Sequence, residues 1–155
     1  MYKTHLAFAL FIGFLFSPFV PFQTFFPFLF FVALGSLLPD VDHPESFLGK
    51  NIRPVSTFFV LIFGHRGIFH SLFIPIFLYV FFVLFLNFPL VGIGLTLGYL
   101  SHLISDAFTP QGIGFFHPLI KYRVRGFITT GGLLEYVFFF ILVVLNLYFY
   151  KGFLF

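Results

Sequence analysis

Pairs of metal-binding side chains interrupt otherwise apolar segments of this sequence. His102 and Asp106 are four residues apart, so on a helix the imidazole and the carboxylate share one face, about one turn apart. Burying such a pair in an apolar segment is expensive unless it binds a metal ion or relays protons, and it therefore indicates function. Asp40 and Asp42 are separated by one residue, in a segment that suits a loop in which two carboxylates converge.

Histidines elsewhere in the chain extend this chemistry. His65 and His70 are five residues apart, a spacing that is awkward on one straight helix but works if Gly67 lets the chain turn into the start of a helix. His5 and His117, each taken alone, could equally be hydrogen-bonded packing residues. The chain has no cysteine, so a metal site must use imidazole and carboxylate ligands, which suit Zn²⁺, Mn²⁺ or Fe²⁺. Glu45, Ser101 and Ser105 are candidate hydrogen-bond partners for the ligating histidines.

The composition places these residues in a membrane protein. Of the 155 residues, 60% are hydrophobic, 25% are aromatic and 8% are charged, whereas soluble domains carry about 25% charged residues. The length is typical of a single domain, which we assign to residues 1–155. The 32 phenylalanines are interpreted as lipid-facing side chains, and the net charge of +3 is spread over loops, which argues against a nucleic-acid partner.

Long uncharged stretches predict the membrane spans. The 36 residues of 4–39 and the 39 residues of 67–105 contain no Asp, Glu, Lys or Arg, and each is long enough for two helices. Pro18 and Pro21 favour a turn in the first stretch, and Asn87-Phe88-Pro89 favours one in the second. The sequence thus predicts an all-α, polytopic membrane bundle of four to five transmembrane helices, near residues 4–17, 22–38, 69–87, 90–107 and 133–150.

Two segments have alternative interpretations. Residues 55–64 are apolar but too short to span a bilayer, so we expect a short interfacial or re-entrant helix there. Residues 4–17 are also short, and residues 1–21 could be a signal peptide because Lys3 precedes an apolar run. The lack of a small-residue cleavage site argues against a signal peptide.

Counting the spans gives an orientation. The loops 39–68 and 108–132 lie on the same side as the N-terminus, together with seven of the eight basic residues, which leaves Lys151 alone on the other side. The positive-inside rule makes the basic side cytoplasmic and puts the C-terminus outside. All five acidic residues and all six histidines fall at this cytoplasmic end, so we expect them to meet in one site.

Several short blocks of sequence occur in one order over most of residues 1–118. The blocks are His5, the run LPDVDHPESFLG at 38–49, GHRG at 64–67 with His70 and Ser71, and GYLSH at 98–102 with Asp106, Thr109 and Pro110. In this order they resemble a known family, the YdjM-like, LexA-regulated, membrane-bound metal-dependent hydrolases, whereas the region after about residue 120 matches the family only in character.

The resemblance implies a hydrolase of the inner membrane with a metal site. Part of the family's classification is similar to zinc-dependent phospholipase C and P1-type nucleases, which hold zinc with His and Asp clusters and cleave phosphoesters. Carried over to this chain, the candidate ligands are His5, Asp40, Asp42, His65, His70, His102 and Asp106. This set exceeds what one tetrahedral ion needs, so two ions are expected, with zinc the first choice.

Catalytic roles follow as hypotheses. Asp42 or Asp106 could orient the attacking water instead of acting as a permanent metal ligand. Arg66 could clamp a phosphate by a bidentate contact, or it could be an anchor at the membrane boundary. A site at the level of the lipid head groups favours a phospholipid or a lipid-linked phosphate as substrate.

Two other classes of function remain open. The same His and Asp residues could bind a divalent ion or relay protons in a transporter or channel, although few polar residues continue across the bilayer beyond Gln23, Thr24 and Asn87. A purely structural metal site would instead be closed by protein ligands. The sequence assigns no role to His43, His117 or Glu135, and it leaves the oligomeric state open.

Overall fold

The protein is a helical bundle, as the sequence predicts. The computed structural model describes residues 1–46, 49–63, 67–120 and 122–154, with only the backbone described at 59–63 and 154. Within these ranges the chain forms six α-helices. They are α1 (Tyr2–Leu15), α2 (Phe22–Leu37), α3 (Arg53–Phe63), α4 (Phe73–Tyr79), α5 (Pro89–Ala107) and α6 (Leu133–Leu154).

Proline and asparagine form the connections where the sequence places them. A 3₁₀ turn at Ser17–Phe19 joins α1 to α2. Asn87 adopts a positive φ of 56° between the α4 region and α5, a conformation that asparagine tolerates better than most residues. Pro89 is the first residue of α5, where its missing N–H has no helical partner to lose. Both predicted turns are thereby confirmed.

Span length separates the helices into two groups. Among the described residues, three segments are long and apolar enough to cross a membrane: Phe22–Asp42, Pro89–Ala107 and Leu133–Phe153. The apolar helices Tyr2–Leu15 and Phe73–Phe85 are shorter. The bundle is therefore confirmed, but three helices reach full length where four to five were expected. Helix α3 occupies the segment predicted to form a short interfacial or re-entrant helix.

The segment predicted as one helix at 69–87 is irregular. It starts with a 3₁₀ turn at Ile68–His70, continues as α4, and ends as a π-helix at Val80–Phe85. Ser71, after the 3₁₀ turn, is extended, with φ −124° and ψ 166°. His70 therefore lies before α4, in a turn and not on a helical face. Its side chain is buried in the interior.

Helices α2 and α5 approach each other closely through glycine. A Cβ atom on Gly98 would lie 1.9 Å from the Val32 carbonyl oxygen, and one on Gly35 would lie 2.3 Å from the Leu95 carbonyl oxygen. Such contacts are possible only for glycine, and small residues are typical of membrane helix interfaces. Gly35 precedes Ser36, and Gly98 lies one turn before His102, so this packing determines the geometry of the polar end.

Phenylalanine serves both the core and the lipid-facing surface. Phe14, Phe25 and Phe28 are buried in a cluster between α1, α2 and α5, whereas Phe30 and Phe140 are 62% and 67% exposed. In a membrane protein such exposed aromatic side chains face lipid. The interpretation of the phenylalanine excess therefore holds for the surface, but not for the whole set.

Helix α6 docks on α1 through two polar contacts. Glu135 accepts hydrogen bonds from Thr4 Oγ1 (2.7 Å) and from the Gly131 N–H (2.7 Å), and Glu135 Oε1 lies 3.4 Å from the amino terminus. Further along the seam, Asn146 Nδ2 donates to the Ala7 carbonyl oxygen at 2.8 Å. Glu135, which the sequence left without a role, is thus a helix-docking residue.

Candidate metal centre

The polar cluster is assembled from four separate elements at one end of the bundle. Its histidines and aspartates come from the first turns of α1, two 3₁₀ turns and the last turns of α5. Asp40 has a side chain that is 25% exposed, and the other members are at most 2% exposed. The cluster consists of His5, Asp40, Asp42, His70, His102 and Asp106.

Asp106 lies at the centre of this cluster. Its Oδ1 atom is 3.5 Å from His5 Nε2. Its Oδ2 atom is 3.6 Å from His70 Nε2 and 3.7 Å from His102 Nε2. The two oxygens of one carboxylate therefore face different imidazoles, which is the arrangement of a carboxylate that can bridge two ions.

The separations fit coordination better than direct hydrogen bonding. Two triads, His5–His102–Asp106 and Asp40–His70–His102, have one ligand atom from each residue within 4.8 Å of the others. His102 Nε2 is 3.8 Å from Asp40 Oδ1, beyond the roughly 2.7–3.2 Å of a protein hydrogen bond. Ligands on a tetrahedral zinc ion at about 2.0–2.1 Å are about 3.3 Å apart. Small inward shifts of these side chains would bring their ligand atoms to bonding distance from a cation between them.

Hydrogen bonds orient two imidazoles with Nε2 facing the cluster. His102 Nδ1 lies 2.7 Å from the Ser36 carbonyl oxygen, to which it must donate. Its Nε2 is buried and has no hydrogen-bond partner in the described part of the chain. Ser105 donates its hydroxyl proton to the His102 carbonyl at 3.0 Å, so His5 Nδ1–H donates to Ser105 Oγ. The His102 Nε2 lone pair is then available to a metal, and His5 Nε2 faces the Asp106 carboxylate at 3.5 Å.

Ring packing and a further carboxylate hold the third imidazole. The His5 and His102 rings stack with centroids 4.0 Å apart, and the His70 ring meets His102 edge to face at 5.5 Å. Asp42 Oδ2 lies 3.4 Å from His70 Nδ1, on the side of the ring away from the Nε2 atom that faces Asp106. Asp42 is thereby placed to orient His70.

The charge balance of the cluster also favours a cation. Asp42 and Asp106 are fully buried carboxylates, and the desolvation cost of a buried ion is several kcal/mol unless charge and hydrogen bonds compensate it. A divalent cation bound among these carboxylates and imidazoles would supply part of that compensation.

A polar cleft of about 430 Å³ opens beside the cluster. Three cluster members, His5, Asp40 and Asp106, line it, and of these Asp40 is the partly exposed one, so the cleft borders the buried cluster at the end of the bundle. The rest of its wall is largely polar and comes from the N-terminus and the loops, namely Met1, Tyr2, His43, Glu45, Ser46, Gln111 and Thr130.

The structure brings together most of the candidate ligands that the sequence singled out. The seventh candidate ligand, His65, lies outside the described residues, and so does the phosphate-clamp candidate Arg66. Of the three candidate partners of the histidines, Ser105 contacts His5, whereas Ser101 donates to the Gly98 carbonyl oxygen at 2.7 Å. Glu45 accepts instead from Arg53, at 3.2 Å, in a solvent-exposed pair.

The sequence analysis did not identify the backbone hydrogen-bond partner of His102, nor the small residues that let α2 and α5 approach closely enough to form that bond. The Ser36 carbonyl could not be found from side-chain type, but Gly94 and Gly98 have the small-xxx-small spacing of a close helix contact. Tyr99 was also missed. Its hydroxyl donates to the Phe69 carbonyl oxygen, and this hydrogen bond holds the turn that contains His70 against α5.

Comparison with known proteins identifies relatives of this chain. Inner membrane protein YdjM of Escherichia coli (strain K12) is 41% identical over 97 residues, which are 59% of this chain and 49% of that protein, and the Shigella flexneri protein of the same name matches equally. The uncharacterized protein YvsG of Bacillus subtilis (strain 168) is 33% identical over 104 residues, 66% of this chain and 65% of that protein. The chain spans about half the length of the YdjM proteins it matches.

No solved structure matches this chain. The family assignment rests on a match broader than those to single proteins, because the family model described as YdjM inner membrane protein matches residues 1–153. The predicted location in the inner membrane is thereby confirmed, while the cytoplasmic placement of the polar end stays a prediction. This chain belongs to the YdjM inner membrane protein family.

Proposed function

We propose that this protein is a membrane-embedded, metal-dependent hydrolase that cleaves a phosphoester of a lipid or lipid-linked substrate. The observation that carries the proposal is the Asp106 carboxylate, whose two oxygens face His5 on one side and His70 and His102 on the other. A bridging carboxylate among imidazoles is the donor set of two-metal phosphoesterases.

The ligands divide between two positions. His5 Nε2 and Asp106 Oδ1 would hold one ion, and Asp40, His70 and Asp106 Oδ2 would hold the other. His102 has only Nε2 to offer, because its Nδ1 is bonded to Ser36, and it belongs to both triads. Zinc, with Mn²⁺ or Fe²⁺ as alternatives, would supply a bound water with a pKa lowered to about 7.

The cleft separates residues that can meet substrate from those that position ligands. Asp40 and Asp106 line the cleft, so either can hold a proton of the attacking water. Asp42 is not among the residues that line the cleft, and it lies beside His70 Nδ1, which favours a positioning role over the water-orienting role suggested by the sequence. The phosphate clamp assigned to Arg66 stays a prediction.

Two features favour a hydrolase over the alternatives. Below the cluster the bundle is filled by apolar side chains, including Phe25, Phe28 and Val32, where a transporter would need a polar path across the bilayer. Three candidate ligands face an open cleft, whereas a structural metal site is closed by its protein ligands. The position of the cleft at the end of apolar helices favours a substrate from the membrane.

The test combines metal content with lipid turnover. Purified protein in phospholipid vesicles should retain at least about one equivalent of Zn²⁺ or Mn²⁺ and release a phosphorylated head group or inorganic phosphate. His102→Ala should lose both properties. His117→Ala is the matched control, because His117 lies in the loop after α5 and outside both triads. The proposal fails if the wild-type protein binds less than one equivalent and His102→Ala leaves turnover unchanged.

A further inference from the structure

Three adjoining cavities connect the cluster to the seam between α1 and α6. The cleft over the cluster shares Met1, Tyr2 and Thr130 with a second cavity of about 350 Å³ at the start of these helices. The second cavity shares Lys3 and Phe139 with a third, an apolar groove of about 400 Å³ along the seam. The shared lining residues place the three cavities next to one another, in order from the polar cleft to the apolar groove.

The length of the groove matches one leaflet of a bilayer. It extends from Lys3 to Phe14 on α1 and from Phe139 to Tyr150 on α6. Eleven residue steps at about 1.5 Å each give about 16 Å, close to half of the roughly 30 Å hydrocarbon thickness. A lipid whose head group lies at the polar end would therefore have its chain beside this groove along the whole leaflet.

The chemistry of the groove suits a single hydrocarbon chain. Aliphatic side chains such as Leu10 and Val143 line it, and Ala7 leaves room at its floor. Asn146, the polar side chain in the seam, donates its amide N–H to the Ala7 carbonyl oxygen at 2.8 Å. Its donor is thereby turned into the helix interface, which keeps the wall of the groove predominantly apolar.

The charges at the head of the groove favour an anionic head group. Lys3 is exposed and lines both the groove and the second cavity. Glu135 also lines the second cavity, but its carboxylate is held by hydrogen bonds from Thr4 and Gly131. The amino terminus, which also lines the second cavity, lies 3.4 Å from Glu135 Oε1, so among the described residues that line these two cavities Lys3 is the positive charge placed to meet a phosphate.

We propose that the α1–α6 groove binds one acyl chain of an anionic membrane lipid, with Lys3 contacting its head group at the entrance to the cleft. This rests on the proposed function in one respect: a lipid held there would present its phosphoester to the metal cluster. The substrate class is then a phospholipid or lipid phosphate of the leaflet at the polar end. Soluble phosphoesters would lack the chain that fills the groove.

Photo-crosslinking tests the groove without requiring turnover. The protein is placed in phosphatidylcholine vesicles doped with a phosphatidylglycerol that carries a diazirine on one acyl chain, and labelled peptides are mapped. Labels should concentrate on residues 3–14 and 139–150. Val143→Trp fills the groove and should reduce this labelling about tenfold, because the indole ring displaces the acyl chain and removes its packing contacts with α1 and α6.

Matched variants make the result decisive. Val144→Trp places the same side chain on the neighbouring residue of α6, which is 49% exposed, and should leave labelling unchanged. Lys3→Gln should reduce labelling by the anionic lipid more than labelling by a diazirine phosphatidylcholine. Labels spread evenly over all lipid-facing helices of the wild-type protein would mean annular lipid only and would overturn the proposal, even if a tryptophan variant failed to fold.

The groove and the hydrolase can fail separately. His102→Ala should be labelled in the groove like the wild-type protein, because crosslinking needs no metal. Groove labelling without lipid turnover would contradict the proposed hydrolase function and support the lipid-binding groove. Lipid turnover with scattered labelling, and equal turnover rates for Val143→Trp and Val144→Trp, would contradict the lipid-binding groove and support the hydrolase function.

Discussion

Helices α5 and α6 are both apolar spans, yet they have opposite places in the bundle. The share of the span buried inside the protein is 56% for α5 and 11% for α6, although α6 is the more hydrophobic, with mean hydropathy 2.0 against 1.2. Helix α5 packs against α1, α2 and α4, whereas α6 packs chiefly against α1. Hydropathy therefore distinguishes a span from a loop, but it does not identify the central helix.

Small and ionisable residues mark the central helix instead. Helix α5 is the less hydrophobic because it carries Gly94 and Gly98 for close packing and His102 and Asp106 for the cluster. In α6 the acidic residue Glu135 and the amide of Asn146 serve to attach the helix to α1. In a lipid environment, where apolar surface needs no burial, these exceptions to hydrophobicity determine which helices meet.

The largest expected effect comes from replacing Asp106 on α5 by asparagine, with replacement of Glu135 on α6 by glutamine as the control. Asp106→Asn removes the negative charge and one candidate oxygen ligand from the centre of the cluster, so metal affinity should fall by more than about 100-fold, beyond the 10–100-fold typical of partners outside the coordination shell. Glu135→Gln on α6 should leave metal affinity unchanged. Metal titration by calorimetry compares the two, and an equal loss in both would contradict the division of roles between α5 and α6.

A pair of glycine substitutions tests the packing that positions His102. Gly98→Ala puts a methyl group 1.9 Å from the Val32 carbonyl oxygen, so α2 and α5 must separate, at a cost of about 1–3 kcal/mol in stability. Gly152→Ala on α6 meets nothing within 4 Å and should be neutral or stabilising by up to about 1 kcal/mol.

The same pair should also differ in metal binding. Gly98→Ala shifts Ser36 away from His102 and should weaken metal affinity roughly 10–100-fold. Reversible unfolding in mixed micelles and metal titration measure the two effects. If Gly98→Ala behaved like Gly152→Ala in both, the close contact between α2 and α5 would not control the site.

A smaller effect is expected at the polar attachment of α6. Thr4→Val removes the hydroxyl that donates to Glu135 at 2.7 Å, and the free energy of unfolding should fall by about 1 kcal/mol. Metal affinity should not change, because Thr4 contacts Glu135 on α6 whereas the neighbouring His5 contacts Ser105 and Asp106 on α5. Thr24→Val, at an exposed hydroxyl bonded to its own turn, is the control and should cost less.

The smallest effect is expected in the middle of the seam. Asn146→Leu removes a single interhelical hydrogen bond, to the Ala7 carbonyl oxygen. Such bonds within membranes contribute about 0.6 kcal/mol on average, and the Asn146 Oδ1 atom has no hydrogen-bond partner among the described residues. Unfolding of Asn146→Leu should therefore differ little from the wild-type protein, and a loss above about 2 kcal/mol would show that this seam is more than a peripheral attachment.

The sequence predicted the bundle and most of the cluster because both follow from residue type. Gaps between charged residues located the spans, and polar side chains in apolar segments located His102, Asp106 and the aspartates after α2. What the sequence could not predict depends on the backbone in three dimensions. The Ser36 carbonyl that orients His102, the irregular helix after His70, and the peripheral place of α6 arise from helix packing.

Diffraction at the zinc absorption edge tests the central claim most directly. Crystals of the wild-type protein grown with zinc should give anomalous peaks on both sides of the Asp106 carboxylate, with imidazole nitrogens at about 2.0–2.1 Å and the two ions about 3.5–4 Å apart. One set of ligands should include His5, and the other Asp40 and His70. An absence of any peak among these residues would contradict the assignment of the cluster as a metal centre.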